Sequence, residues 1–404
     1  MKASIILKAG RDKSLRRRHP WIFSGAVERV QGDPQSGDTV EVRSAEGKPL
    51  ALAAYSPSSQ IRARAWSFEP EATIDAEFLR ARLRAALALR EALPAARHTN
   101  ALRLVHGESD GLPGLIVDRY ADVLVAQFLA AGAERWRDTL TEALAEFSGC
   151  EAIYERSDAE VRSLEGLPAR SGWARSAHGD GARCPIIEYG LNFRVDVEQG
   201  QKTGFFLDQR ENRQRIRALA GDREVLDCFC YTGGFAIAAL AGGARHVLAL
   251  DSSAPALEVA RDNLAANALD PARIELREAD VFGELRKQRD RGAKFGLIVL
   301  DPPKFAPTAA QAENAARAYK DVNLLALKLL SPGGLLATFS CSGGVPAELF
   351  QSIVAGAASD AAIDAKIIER FGAAADHPVA LNFPEGEYLK GLLVVRGEEL
   401  QRRA

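Results

Sequence analysis

Acidic side chains and one cysteine follow five apolar runs in the second half of the chain. The runs cover residues 224–230, 246–251, 274–280, 295–301 and 335–341, and the groups at or near their ends are Asp227, Asp251, Asp280, Asp301 and Cys341. Ligands bind beyond the carboxyl ends of the strands in open α/β sheets. If the runs are neighbouring parallel strands, these groups form one site.

The turn after the first run indicates the kind of ligand. Residues 227–234 read Asp-Cys-Phe-Cys-Tyr-Thr-Gly-Gly. The glycines let the backbone approach a ligand, and the next helix begins with free N–H groups. The turn lacks the G-x-G-x-x-G pattern of dinucleotide sites. Asp251 suits two ribose hydroxyls, and Asp280 suits an adenine amino group. Ribose, adenine and an amino-acid tail together describe S-adenosylmethionine.

A rigid corner follows the fourth run, where Asp301 precedes Pro302 and Pro303. Two prolines stiffen the chain and remove two N–H donors, which provides a platform beside a flat substrate. Enzymes that methylate exocyclic nitrogens usually carry an aromatic residue directly after Asp-Pro-Pro or Asn-Pro-Pro. Here Lys304 stands in that place and Phe305 follows, which disfavours methylation of nitrogen.

Cys341 ends the fifth run in front of a Gly-Gly turn. The C5 carbon of a pyrimidine is a poor nucleophile, and addition of a thiolate at C6 activates it. Such covalent catalysis divides one difficult step into easier ones. Because an ordinary thiol is mostly protonated at pH 7, the site must favour the thiolate, and Lys304 is a candidate for this. We interpret Cys150, Cys184, Cys228 and Cys230 as buried core thiols.

The elements that position these groups follow from periodicity. From residue 222 onward, apolar strands alternate with amphipathic helices, which predicts a buried parallel sheet covered on both faces. Short strands are predicted at 38–43, 48–55 and 60–67, and they suggest a small barrel. A helix over 74–94, strand-like runs at 102–106 and 114–129, a helix over 133–147 and a strand at 151–156 predict an α+β region between them.

Composition and charge exclude several classes of protein. The chain has 404 residues, 47% hydrophobic and 26% charged, with a formal net charge of −2. These values exclude a disordered chain and a uniformly basic coat protein. There is no apolar run of ~18 residues and no secretion signal, and the cysteine number is odd, so we expect a cytoplasmic protein that neither spans nor binds a membrane. Residues 1–20 carry seven basic side chains against one acid, which favours contact with phosphates.

These motifs resemble those of the 23S rRNA (cytosine-C5) methyltransferases along nearly the whole chain. The matching stretches include 13–21, 53–66, 107–114 (GESDGLPG), 202–210 (KTGFFLDQR), 228–236 (CFCYTGGFA), 301–305 (DPPKF), 339–343 (FSCSG) and 383–391 (FPEGEYLKG). The resemblance implies an α/β protein with an N-terminal PUA β-barrel (1–72), a central α+β domain (73–185) and a class I Rossmann-like methyltransferase domain (186–404).

The resemblance also implies roles for individual residues. Cys341 is the nucleophile, and Asp301 and Lys304 belong to the catalytic set with Glu385. We single out Glu385 and His377 by their position between the last two predicted strands, and either is a candidate for the base that removes the C5 proton. The implied cofactor-binding residues are Asp227, Phe229, Tyr231, Thr232, Gly233, Gly234, Asp251, Asp280 and Asp301. Lys202, Thr203, Gly204, Phe206, Asp208 and Arg210 join them in a strand-and-turn wall. The implied RNA-binding residues are Lys13, Arg16, Arg17, Arg18 and His19, and no metal is expected.

One departure from related enzymes leaves the substrate base open. Many RNA cytosine-C5 methyltransferases carry a second cysteine in the corner that Asp301 occupies here, so another base must remove the C5 proton, as in uracil-C5 enzymes. Cytosine also requires a proton near N3, so Asp301 has to carry or share one. The alternatives are uracil-C5 or guanine-N2 methylation of RNA, and a non-catalytic RNA-binding assembly factor. The expected partner is 23S rRNA or a large-subunit assembly intermediate, with a homodimer possible.

Overall fold

The computed structural model describes residues 3–176, 182–305 and 312–399. The chain forms two compact units. Unit 1 comprises Met1–Gly190, Val195–Leu207 and Ala375–Gly386, and unit 2 comprises Leu191–Arg194, Asp208–Ala374 and Glu387–Ala404. The predicted three-domain division stays a prediction.

The helices and strands are as follows. The helices are α1 (Lys13–Arg16), α2 (Ala76–Glu91), α3 (Ala131–Arg135), α4 (Arg137–Ser148), α5 (Val161–Leu164), α6 (Arg210–Leu219), α7 (Gly234–Ala241), α8 (Ala254–Ala266), α9 (Val281–Asp290), α10 (Ala312–Leu329) and α11 (Ala347–Ala361). The strands are β1 (Ser4–Leu7), β2 (Trp21–Phe23), β3 (Val27–Gln31), β4 (Thr39–Arg43), β5 (Pro49–Tyr55), β6 (Ile61–Ser67), β7 (Ala101–His106), β8 (Leu115–Tyr120), β9 (Val123–Phe128), β10 (Ala152–Ser157), β11 (Arg170–Arg175), β12 (Arg183–Glu188), β13 (Leu191–Asp196), β14 (Glu224–Cys228), β15 (His246–Asp251), β16 (Ile274–Glu278), β17 (Phe295–Leu300), β18 (Leu330–Ser340), β19 (Ile363–Phe371) and β20 (Lys390–Glu399).

The N-terminal part of unit 1 is a six-stranded sheet in the order β2-β6-β5-β4-β1-β3. It is curled into a half-barrel, so the predicted small barrel is present in a partly closed form. Alternate residues such as Val40 and Val42 are buried against Ile5, Leu7 and Ala53. The three predicted strands match β4, β5 and β6 closely. Strands β1, β2 and β3 were not predicted; β1 and β2 have only four and three residues, and none of the five residues of β3 is buried.

The second part of unit 1 is a five-stranded sheet in the order β11-β10-β9-β8-β7, on which α2 and α4 pack. The predicted single run over 114–129 is wrong, because it is the antiparallel hairpin of β8 and β9. Ala121 turns this hairpin with a φ of 56°, and neither Gly nor Pro marks the turn. The predicted helix over 133–147 divides at Trp136 into α3 and α4.

Unit 2 is built on a seven-stranded sheet in the order β16-β15-β14-β17-β18-β20-β19. Successive residues of each central strand enter two different cores. Leu226 and Ile298 pack with residues of α9, α10 and α11, whereas Val225 and Leu297 pack with residues of α6, α7 and α8. The sheet is therefore covered by helices on both faces, as the apolar runs predict.

The prediction of an entirely parallel sheet is wrong for one strand. β14–β18 pair in parallel with their neighbours, but β20 lies antiparallel between β18 and β19. A parallel connection needs a crossover, usually a helix. No helix with more than one turn precedes β20 after β19 among these described residues. This strand brings its first residue, Lys390, opposite Ser340, the last residue of β18.

Candidate active site

The carboxyl ends of five adjacent parallel strands meet at one edge of unit 2. The order β16-β15-β14-β17-β18 and its registers bring together the strand ends at or just beyond which Asp280, Asp251, Asp227, Asp301 and Cys341 lie. The predicted grouping of these strand ends is confirmed. Strands that run in parallel and in register present their ends at the same edge, which is where ligands bind.

The turn after β14 has an unusual backbone. Phe229, Tyr231 and Gly233 have φ values of 63°, 49° and 80°. Non-glycine residues rarely adopt this left-handed region, and such strain persists only where the surroundings enforce it. The carboxylate of Asp251 provides part of that restraint, because its Oδ2 accepts the Tyr231 N–H at 2.8 Å and its Oδ1 accepts the Ser253 N–H at 2.9 Å. Asp251 therefore fixes the loop at the start of α7.

Asp227 is a buried carboxylate, 1% exposed, and neither of its oxygens has a hydrogen-bond partner among the described atoms. Burial raises its pKa well above the usual value, and the charges of Asp301 and then Asp251 raise it further. The Ala236 amide acts in the opposite direction, in an arrangement that falls short of a hydrogen bond. A buried carboxylate without a partner is costly, so this site is suited to a cationic group.

Asp280 lies beyond β16 and caps α9. Its Oδ2 accepts the Gly283 N–H at 2.8 Å, and the residue is exposed. A row of half-buried aromatic rings begins beside it. The centroid distances are 6.3 Å from Phe229 to Phe282 and 6.2 Å from Phe282 to Phe305. These rings offer an apolar surface for a flat base. Sequence analysis missed Phe282, although an aromatic residue two places after Asp280 was a usable signal.

The Asp301 corner follows β17 directly. The Asp301 N–H donates to the Cys228 carbonyl at 3.4 Å, which ties the corner to β14. Asp301 is half-buried, whereas Pro303 and Lys304 are exposed. The ring of Phe305 packs against that of Tyr319 of α10, with 4.8 Å between the ring centroids. An aromatic contact thus holds the corner from one side.

Cys341 follows β18 and is half-buried, while the other four cysteines are buried. A network of hydroxyl groups holds its turn. Ser340 Oγ donates to Tyr319 Oη at 2.9 Å, Tyr319 Oη lies 3.0 Å from Ser342 Oγ, and the Ser342 N–H donates to Ser340 Oγ. The residues on both sides of Cys341 are thus fixed by one tyrosine.

Burial separates Cys341 chemically from the other thiols of unit 2. It raises the pKa of Cys228 and of Cys230 well above the usual value. In unit 1, burial raises the pKa of Cys184 to about 12. Thiols of this kind are unreactive as nucleophiles, which agrees with their interpretation as core residues.

Lys390 also contacts the Cys341 turn, and sequence analysis did not single it out. Its Nζ donates to the Ser342 carbonyl at 2.7 Å and to the Val345 carbonyl at 2.8 Å. Burial lowers the pKa of this ammonium, and the charge of Cys341 acts in the opposite direction. The stretch 383–391 contains Lys390, so the signal was present, but only the pairing of β20 with β18 gives it a role.

The predicted strand-and-turn wall over 202–210 contains no strand. Residues 201–205 form turns and bends, and a 3-10 helix, Leu207–Gln209, leads into α6. The φ values of 53° at Lys202 and 134° at Gly204 prevent extended pairing. At Gly204 a Cβ would lie 2.6 Å from Val195 Cγ1, so only glycine fits this turn.

The side chains of this segment divide between the two units. In unit 1, Thr203 Oγ1 donates to Asp118 Oδ2 at 2.6 Å, and Lys202 Nζ lies 4.4 Å from the centre of the Phe206 ring. In unit 2, Asp208 and Arg210 are buried, and Tyr388 Oη donates to Asp208 Oδ2 at 2.5 Å. Their predicted contact with a cofactor stays a prediction.

The two candidate bases belong to unit 1, whereas Cys341 belongs to unit 2. Both carboxylate oxygens of Glu385 lie 3.1 Å from His19 Nε2. His377 is buried and its Nδ1 lies 3.0 Å from Asp376 Oδ1. Glu385 is exposed and His377 is not, so Glu385 is the better candidate for contact with a substrate.

The basic residues of the N-terminal region are largely exposed. Lys13, Arg16, Arg17 and Arg18 lie on and after α1 with exposed side chains, and Arg16 Nε contacts Asp12 Oδ2 at 2.6 Å. His19 is half-buried by its contact with Glu385. The exposed arginines present guanidinium groups that suit phosphate oxygens.

The strand-end site fits S-adenosylmethionine. Asp227 provides two buried oxygens without a partner, in the field of Asp251 and Asp301, and such a site suits the positive charges of a sulfonium and an ammonium group. The hydroxyl of Thr232 is also buried without a partner, and the first turn of α7 at Gly234 has N–H groups that suit a carboxylate.

Within 3–176, 182–305 and 312–399, no three His, Cys, Asp or Glu side chains are grouped as a metal would require. Across the same part of the chain, no helix combines the length and the apolar character needed to cross a bilayer.

Comparison with known proteins identifies the family. Residues 172–382 match the model of an S-adenosylmethionine-dependent methyltransferase family, and residues 5–68 match a PUA-like domain. The protein named ribosomal RNA large subunit methyltransferase I from Aeromonas hydrophila is 51% identical over 98% of this chain and 99% of its own length. The protein of the same name from Shewanella denitrificans is also 51% identical, over 97% of this chain and 99% of its own length.

Two solved structures share the fold. A putative S-adenosylmethionine-dependent methyltransferase from Streptococcus mutans superposes with a TM-score of 0.84 at 20% identity, covering 97% of this chain and 99% of its own. A putative methyltransferase complexed with SAH superposes with a TM-score of 0.86 at 21% identity, covering 97% of this chain and 99% of its own. The resemblance read from the motifs and the predicted fold class are confirmed. The chain therefore belongs to the ribosomal RNA large subunit methyltransferase I family and is an S-adenosylmethionine-dependent methyltransferase with an N-terminal PUA-like domain.

Proposed function

We propose that the protein methylates C5 of a cytosine in 23S rRNA through a covalent bond between Cys341 Sγ and C6 of the base. The observation that carries this proposal is the setting of Cys341, which is half-buried on a turn held by Tyr319 and Lys390 while the other cysteines are buried. Its strand is the direct neighbour of the strand that leads to Asp301. The name of the curated relatives supports large-subunit rRNA as the substrate.

The steps assigned to the chain's own residues follow from this setting. S-adenosylmethionine, when bound, supplies an electrophilic methyl group on a sulfonium. The Cys341 thiolate forms a bond to C6, and the electron pair of the C5–C6 double bond makes C5 nucleophilic. C5 takes that methyl group, and its former bond to sulfur breaks to leave the neutral thioether. Glu385, our candidate base, then takes the C5 proton, the C6–S bond breaks, and the thiolate of Cys341 is regenerated.

Asp301 is the group we assign to N3 of the base. A cytosine adduct gains a proton at N3, and the corner residue is half-buried beside the base platform. Cytosine rests on the resemblance of the motifs, since uracil needs no proton from Asp301.

The RNA-binding surface is assigned to the PUA-like domain. The exposed arginines at residues 16–18 provide contacts to phosphates, which fix position on RNA without reading its sequence. The substrate is 23S rRNA alone or within a large-subunit assembly intermediate, and a homodimer in the cytoplasm stays a prediction.

The decisive experiment removes the thiol. We expect Cys341→Ala to lose methyl transfer to 23S rRNA while its affinity for S-adenosylmethionine stays within twofold, because hydrogen bonds from Tyr319 and Lys390 hold the neighbouring residues of the turn. Cys150→Ala, which removes a buried thiol from unit 1, is the matched control and should keep activity. RNA containing 5-fluorocytosine should trap the wild type, but not the Cys341→Ala variant, as a covalent adduct.

Mass-spectrometric mapping of rRNA identifies the base. A strain that lacks this chain should lose one 5-methylcytosine, and the wild-type gene but not the Cys341→Ala variant should restore it. Loss of a methyluracil instead would assign the alternative uracil-C5 activity. Full activity of the Cys341→Ala variant would refute the covalent mechanism and point to methylation of nitrogen.

A further inference from the structure

We propose that Lys390 is a positioning residue for the nucleophile, holding the Cys341 turn by two hydrogen bonds and supplying the positive charge that favours the Cys341 thiolate. This inference rests on the proposed role of Cys341. It assigns a function to a residue on β20, a strand whose antiparallel insertion was not predicted from the sequence.

The first support is the position of the ammonium group. Lys390 pairs with Ser340 in the register of β18 and β20, one residue before Cys341. Its Nζ donates to the carbonyls of Ser342 and Val345 at 2.7 and 2.8 Å. A single side chain thus holds the backbone that follows Cys341, whereas β18 precedes it. The conformation of the thiol turn therefore depends on Lys390.

The second support is the charge. An ammonium group has three N–H donors, and both acceptors that Lys390 has in the described structure are neutral carbonyls. No carboxylate within the described residues forms an ion pair with it at 4 Å or less, although Glu387 acts on it from further away. Its positive charge is therefore not neutralised by direct contact, and the interaction with ionised Cys341 is favourable.

The third support is that the ammonium group of Lys390 is partly removed from water, which is unfavourable for a charged group. Lys390 is half-buried on an inner strand of the sheet, and burial lowers its pKa. A lysine there loses hydration that a solvent-exposed lysine keeps. The charged groups that act on Tyr319 or Lys390 beside Cys341 include the carboxylates of Asp301 and Glu387 and the ammonium of Lys304. Lys304 is exposed, so solvent screens its charge more strongly than that of Lys390.

Three substitutions separate the charge from the hydrogen bonds. Lys390→Arg keeps the charge, Lys390→Gln keeps donors for the two carbonyls without the charge, and Lys390→Met keeps neither. The full-length protein is treated with iodoacetamide across pH 5.5–10, and the alkylation of Cys341 is followed by peptide mass spectrometry. Lys366→Met, an exposed lysine on β19, is the matched control.

We expect Lys390→Gln and Lys390→Met to reduce the alkylation rate at pH 7 by about tenfold, with recovery to the wild-type rate at the highest pH, because an opposite charge nearby shifts a titration by ~1 pH unit or more. Lys390→Arg should stay within threefold of wild type, and Lys304→Gln should have a smaller effect than Lys390→Gln. Affinity for S-adenosylmethionine should be unchanged in all of them.

Two results would overturn the proposal. One is a wild-type pH profile of alkylation in Lys390→Gln, and the other is an equal loss of alkylation at every pH, which would indicate a purely structural role. Failure of the proposed function has a different signature, since methyl transfer by Cys341→Ala would refute the nucleophile while leaving the alkylation profiles of the Lys390 variants as they are.

Discussion

Asp227→Asn tests the cofactor site at its most unusual group. In the structure, both oxygens of this carboxylate are buried without a partner, and two further carboxylates raise its pKa. We expect it to pair with a positive group of S-adenosylmethionine. A hydrogen bond to a charged group contributes ~1.5–3 kcal/mol. Since 1.4 kcal/mol corresponds to a tenfold change in affinity, the substitution should weaken binding by ~10- to 150-fold.

Titration calorimetry measures this change directly. S-adenosylhomocysteine, which has the ammonium but not the sulfonium charge, shows which cation the carboxylate contacts. Equal losses for both compounds indicate the ammonium, and a loss for S-adenosylmethionine alone indicates the sulfonium. Asp222→Asn, at an exposed residue of the same unit, is the matched control and should bind both compounds as wild type does.

The same substitution has an opposite effect on the stability of the unliganded protein. The pKa of Asp227 is higher in the folded protein than in the unfolded chain. As the pH increases, the carboxyl group of Asp227 therefore loses its proton in the unfolded chain before it does so in the folded protein. The free energy of unfolding of the wild type therefore decreases from pH ~4 upward, through the pKa of the folded state. Asparagine has no such titration, so Asp227→Asn should gain stability relative to wild type between pH 5 and pH 8 in urea unfolding.

Binding of S-adenosylmethionine within twofold of wild type, together with an unchanged difference in stability between pH 5 and pH 8, would refute this reasoning. The carboxylate would then be hydrated or paired in solution, and the cofactor would be held by other groups.

Two further predictions concern unit 1. Replacing the arginines at residues 16–18 with glutamine should weaken RNA binding and reduce the slope of log K against log salt by ~0.9 for each lost phosphate contact. The control is Arg317→Gln, at an exposed arginine of α10, which should leave the slope unchanged. An unchanged slope in the triple variant would show that these residues are not part of the RNA interface. Arg90→Met should reduce the free energy of unfolding by ~3–5 kcal/mol, since the buried guanidinium makes two contacts of 2.6 and 2.7 Å to buried Asp110. A loss below ~1 kcal/mol in urea unfolding would show that the Asp110 carboxylate is stabilised by other groups.

Local sequence patterns predicted the parallel core of unit 2 because its central strands, such as β14 and β17, are apolar on both faces. Val225 and Leu226, adjacent along β14, are both buried in different helix layers. Such a run has no polar alternation and is typical of a covered parallel sheet. Once the strands are parallel and adjacent, Asp251, Asp301 and Cys341 must share one edge, so this part of the candidate site follows from the sequence.

The remaining parts of the site depend on contacts between residues far apart in sequence. Tyr319 reaches the Cys341 turn from α10, and Lys390 reaches it from β20. Neither periodicity nor spacing carries this information, because the partners are set by which surfaces pack together and not by the residues beside them.

The sequence by itself determined the family, predicted a cofactor site at the strand ends and singled out Cys341, which is half-buried while the other four cysteines are buried. Each of these depends on short motifs and on the local alternation of strands and helices. Only the tertiary structure decided that β20 enters the sheet antiparallel beside β18. An antiparallel strand runs back from the site, so its first residue, Lys390, lies opposite Ser340, the last residue of β18 and the neighbour of Cys341. The surroundings of the proposed nucleophile are therefore a product of strand direction, which residue order alone does not specify.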